Sequence, residues 1–86
     1  MDKLHRVEEA EYAIRALGFR VVRVRAHEGI ARIEVLPEDI PRIVQPDLAA
    51  RVARAVRDAG FSHVTIDLLG YRSGSMNEQR GAPPNP

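Results

Sequence analysis

Arg23 and Arg25 stand two apart in the run RVR, Arg32 and Glu34 two apart in ARIEV, and Thr65 and Asp67 two apart in VTID. A spacing of two is the spacing of one face of a β-strand. The planar fork of arginine bonds two oxygens of a phosphate or carboxylate at once. Two arginines one strand repeat apart are therefore fitted to straddle one phosphate. A third arm is available from Arg72, in the stretch GYRSGSMNE. That stretch, rich in Gly and Ser, has the composition of a turn. It is not a P-loop, since it lacks the lysine and the strand-loop-helix setting. The plainer reading of the same residues is a solvated sheet face. Its Arg–Glu and Arg–Asp pairs would then contribute only about 0.2–1 kcal/mol each.

These side chains need elements to hold them. Residues 3 to 17, KLHRVEEAEYAIRAL, place Leu4, Val7, Ala10, Ile14 and Leu17 at helical spacing, with Asp2 as a cap and Gly18 at the C-terminal stop. Residues 19 to 27 alternate from Val22 onward, with Val22, Val24 and Ala26 on one side and Arg23, Arg25 and His27 on the other. Glu28 and Gly29 make a tight turn into IARIEVL, so the two runs form a hairpin. Pro37 ends the second strand, and EDIPRIVQ reads as an irregular or single-turn helical link.

PDLAARVARAVRDA, from Pro46, is a second helix. Its inward stripe is Leu48, Val52, Ala55, Val56 and Ala59, and Arg51, Arg54 and Arg57 face water. FSHVTIDLL is a third strand with Val64, Ile66 and Leu68 inward and His63, Thr65 and Asp67 outward. Leu17-Gly18-Phe19 and Ala59-Gly60-Phe61 each close a helix and open a strand. The expected fold is α+β in the order α-β-β-α-β. It is a three-stranded mixed sheet carrying both helices on one face, with the polar face opposite. The domain is expected over residues 1–78. The Pro-rich remainder, residues 79–86, is expected to be a disordered tail.

Composition sets limits. At 86 residues the chain is one small domain with a modest core. Thirteen basic residues against twelve acidic ones give a net charge of +1, without the basic surplus of a nucleic-acid binder. No aromatic stacking pair lies on the strand faces, so no nucleic-acid partner is expected. There is no Cys, hence no disulfide, thiolate nucleophile or thiolate metal site. The charged N-terminus is not a signal peptide, and no apolar run approaches a membrane span. A cytoplasmic location is the expectation, with no membrane partner.

Glu11 is the other unusual residue, since it borders the apolar stripe of the first helix. It either passes the stripe to reach solvent or aims a carboxylate at a partner chain or metal. His5, His27 and His63 have no metal-ligand spacing.

Taken in order, KLHRVEEAEYAIRALGFRVVRVR, RVRAHEGIARIEV and GFSHVTIDLLGYRSGSMNE resemble the C-terminal domain of the LarE-type ATP-dependent sacrificial sulfur transferases. The resemblance runs over residues 3–78. It implies a domain that follows a PP-loop ATP pyrophosphatase domain. Such proteins adenylylate a pyridinium nucleotide carboxylate and transfer sulfur to it, toward a nickel-pincer nucleotide cofactor. By motif, Arg23, Arg25 and Arg72 correspond to the arginines that hold substrate phosphate. Glu11 and Glu34 correspond to acidic residues associated with a metal, implying a divalent metal at an oligomer interface. A further acid of the family falls near Glu38 or Asp39.

The departures are as informative. These residues include no SGG-D-S type PP-loop and no sulfur-donating Cys. Met1 stands just before the match, which suits either a separate small protein or a fragment. The isolated chain is expected to have no sulfur transferase activity, no intrinsic cofactor and no catalytic residue. Its expected role is phosphate binding and oligomerisation beside a PP-loop partner, with a pyridine mononucleotide as ligand. The alternative is a purely structural oligomerisation module.

Overall fold

The computed structural model of the chain describes residues 3–72. Helix α1 spans Lys3–Ala16. Strands β1 (Val22–His27) and β2 (Ile30–Val35) pair antiparallel, in register from Val22 opposite Val35 to His27 opposite Ile30. The two loop residues, Glu28 and Gly29, both have positive φ, 49° and 84°. That is the sense a two-residue hairpin loop needs to match the twist of its strands. A 3₁₀ turn, Pro37–Asp39, and the one-turn helix α2, Ile40–Ile43, form the link expected after Pro37. Helix α3, Pro46–Asp58, carries Pro46 in its first turn, where the missing amide costs nothing. Strand β3, His63–Ile66, then joins β2 in parallel.

The sheet order is β1-β2-β3. With one antiparallel and one parallel pairing it is a mixed sheet, and the α+β architecture with the order α-β-β-α-β is as expected. Ala10 and Ile14 of α1, Val52 and Val56 of α3, and the strand residues Val22, Val24, Ala31, Ile33 and Val35 are all buried in one cluster. Phe19 and Phe61 belong to the same cluster. Each follows a helix-ending glycine, so one device seats an aromatic ring under each helix end. Arg42 locks the first of these corners. Its guanidinium lies 4.1 Å from the centre of the Phe19 ring and donates to the Gly18 carbonyl at 2.8 Å.

Two apolar positions depart from the periodic reading. Leu4, expected in the inward stripe of α1, is 66% exposed. At that end of the helix the guanidinium of Arg6, 5.9 Å from the Phe61 ring centre, covers the core instead. The Arg6 side chain is half-buried there, and its Nε is buried with no hydrogen-bond partner among the described residues. Leu68, expected inward on the third strand, is 76% exposed. Strand β3 stops at Ile66, and the Asp67 carboxylate accepts the amide of Leu69 at 2.9 Å. This Asx turn takes Leu68 off the sheet. The Asp2 cap and the expected tail over residues 79–86 lie outside the described residues.

Candidate functional site

Pairing puts the outward side chains of the three strands on one face. Arg23 sits opposite Glu34, Arg25 opposite Arg32, and Arg32 beside Thr65. The hairpin therefore brings like charges, Arg25 and Arg32, directly against each other. That juxtaposition is unfavourable unless an anion lies between them.

Glu34 is that anion. Its carboxylate takes Arg25 on one oxygen, with Nη2 at 3.3 Å, and Arg32 on the other, with Nη2 at 3.4 Å. Arg32 also reaches Asp67 at 4.0 Å. Glu34 is 8% exposed, whereas the side chains of Arg25 and Arg32 are about half exposed. The centre of the face is thus a nearly buried carboxylate under two arginine forks.

Arg23 differs from these two. Among the described residues no carboxylate lies within ion-pair range of it. Its guanidinium stands 5.9 Å from the ring centre of Tyr71 instead. This contact crosses β2 and joins the RVR run to the YRSG motif. Tyr71 was not among the residues the sequence singled out. Its place in the same motif as Arg72 was the available signal. Arg72 follows it and is exposed.

Glu11 lies elsewhere. Its Oε2 accepts the amide of Val24 at 2.9 Å, and its Oε1 is 3.8 Å from Arg15. Val24 belongs to β1, the outer strand, so Glu11 serves an edge amide from the helix layer. Glu34 projects from the opposite face of the sheet. Both carboxylates are engaged within the chain. Among the described residues no group of three or more acidic, His or Cys side chains is placed to hold a metal. Glu38 is exposed and Asp39 pairs with Arg42 at 3.5 Å.

His5 approaches Glu9 at 3.8 Å on the exposed side of α1. His27 is the last residue of β1 and His63 the first of β3, and His63 Nδ1 lies 3.1 Å from the Ser62 hydroxyl. No helix among the described residues is long and apolar enough to cross a membrane.

The fold and this face define a small α+β domain with an arginine-bearing sheet surface opposite its helices. No family model matches the chain. The chain is 44% identical over 77 residues to the pyridinium-3,5-bisthiocarboxylic acid mononucleotide synthase of Lactiplantibacillus plantarum. It is 43% identical over 77 residues to the uncharacterized protein slr1717 of Synechocystis sp.. Each match takes in 90% of the chain, but only 27% and 29% respectively of the relative's own length. The chain is a LarE-related domain, spanning just over a quarter of the curated relatives it matches.

Proposed function

We propose that the polar sheet face binds the phosphate of a pyridine mononucleotide. The domain would act beside a PP-loop ATP pyrophosphatase, on the same or another chain, in nickel-pincer nucleotide cofactor synthesis. The observation that carries this reading is the state of Arg23. It is exposed, has no carboxylate partner among the described residues, and touches the motif that contains Arg72. An arginine fork so placed is available to a dianion. Arg25, half neutralised by Glu34, supports it from the next position on the strand. The name of the Lactiplantibacillus plantarum relative specifies a pyridinium mononucleotide, which carries such a phosphate. With no Cys in these residues, any transferred sulfur must come from elsewhere in the assembly.

Calorimetric titration of the chain with nicotinic acid mononucleotide tests this. Saturable binding is expected, weakening as salt rises. A charge-assisted hydrogen bond contributes about 1.5–3 kcal/mol, so Arg23→Ala should weaken binding by at least about tenfold. Absence of saturable binding to the unaltered chain overturns the ligand role.

A second reading has its own support. Leu68 and Leu69 are 76% and 64% exposed, beside a face whose central arginines are already paired. A subunit or partner interface would cover them, making the domain an oligomerisation module without a ligand. Light scattering at two salt concentrations, with and without the nucleotide, separates the two. Self-association that is indifferent to nucleotide favours the module.

A further inference from the structure

Strand β3 ends at Ile66, yet the chain returns to the same edge of β2. The amide of Asp67 donates to the Ile33 carbonyl at 2.9 Å, and the amide of Tyr71 to the Val35 carbonyl at 2.6 Å. In a regular parallel ladder those two carbonyls would be served by residues two apart, 67 and 69. Here the second is served by residue 71, so two extra residues are inserted.

The insertion is tightly built. The Asp67 carboxylate takes the Leu69 amide at 2.9 Å, and the Asp67 carbonyl takes the Gly70 amide at 3.0 Å. Gly70 has φ +80°, and a Cβ there would lie 2.6 Å from the Val35 carbonyl oxygen. Only glycine passes so close to β2 in that conformation. The arrangement leaves two leucines in water, which gains the fold nothing. What it achieves is placement: Tyr71 is returned to the sheet with its ring beside Arg23.

We propose that Tyr71 is a specificity-determining residue, its ring being the platform for the pyridinium ring of the mononucleotide. This rests on the phosphate-binding reading above. A phenol ring attracts a cation to its face, and a pyridinium is both a cation and a stacking surface. The ring already has a cation beside it, the Arg23 guanidinium. A bound nucleotide would draw that guanidinium to its phosphate and set its own cationic ring in the vacated place. One charge replaces another over the same aromatic face. A sugar phosphate without a cationic ring offers no such exchange, so the pair Arg23 and Tyr71 would select for a charged ring as well as for phosphate.

The test compares two probes on the full chain: nicotinic acid mononucleotide, and ribose 5-phosphate, which has the phosphate but no ring. The unaltered chain is expected to prefer the mononucleotide by about tenfold, from the usual strength of base–aromatic stacking. That ratio should collapse toward one in Tyr71→Leu and persist in Tyr71→Phe. Circular dichroism melts of each variant confirm that it is folded. A ratio maintained in Tyr71→Leu overturns the platform while leaving the phosphate reading intact. Equal affinity for both probes in the unaltered chain does the same. Failure of the unaltered chain to bind either probe removes both.

Discussion

Glu11 Oε2 accepts the amide hydrogen of Val24 at 2.9 Å, and this one bond ties helix α1 to the outer edge of strand β1. An edge strand with open amides invites pairing with another chain. A carboxylate supplied from the helix layer satisfies one of them. Glu11→Ala is therefore expected to cost about 1–3 kcal/mol, the usual price of an unmet polar group in a half-buried setting. Glu11→Gln retains an acceptor oxygen and should cost less. Urea denaturation gives the stabilities, and hydrogen exchange at the Val24 amide should accelerate in the alanine variant.

Glu34 separates two arginines that the hairpin register forces together. Glu34→Ala should destabilise by about 1–2 kcal/mol, less than for a fully buried pair because Arg25 and Arg32 are half exposed. A double-mutant cycle of Arg32→Ala with Glu34→Ala should return a coupling of about 0.5–1.5 kcal/mol. The coupling should shrink in 1 M salt if it is electrostatic. Measured additivity of the two substitutions would mean that Glu34 does not mediate the contact.

Gly70→Ala combines a positive φ with a backbone oxygen where the new methyl must go. A loss of about 1–3 kcal/mol is expected, from the ordinary cost of a non-glycine residue held in such a conformation. The Tyr71 amide should also lose protection against hydrogen exchange, since its bond to Val35 lies next in the chain. Thermal melts and exchange rates on the same sample check both.

Glu28 occupies a left-handed conformation, φ 49°, in the hairpin loop. Asparagine tolerates this conformation better, and Asn-Gly is the favoured pair for such a loop. Glu28→Asn should raise stability by about 0.5–1 kcal/mol with no effect on the polar face. Denaturant midpoints at unchanged slope would register it.

Much of the fold was legible because its rules are local. The alternation from Val22 to His27 and from Ile30 to Val35 gave the hairpin and the division into two faces. Gly18 and Gly60 marked the helix ends, and Pro46 the start of α3. The polar face was legible in outline, since period two alone aligned Arg23, Arg25, Arg32 and Glu34. Periodicity failed where a single side chain overrode it. Leu4 met the helical spacing, but Arg6 had already covered Phe61. Leu68 met the strand spacing, but the Asp67 carboxylate turned the chain one residue earlier.

The sequence by itself determined which residues form helices and strands and which strand side chains share a face. Those properties follow from bond geometry and from spacing along a few neighbouring residues. Only the tertiary structure decided what each charged group meets. Solvent, partner and metal were all open to Glu11 in the sequence, which gave no sign that its Oε2 would meet an amide thirteen residues away. Arg25 and Arg32 looked equivalent to Arg23, and the register sets Arg23 opposite Glu34, yet Glu34 pairs with Arg25 and Arg32 while Arg23 turns to the ring of Tyr71. A side chain's partner depends on the distance between elements packed together in space, and no spacing along the chain encodes that distance.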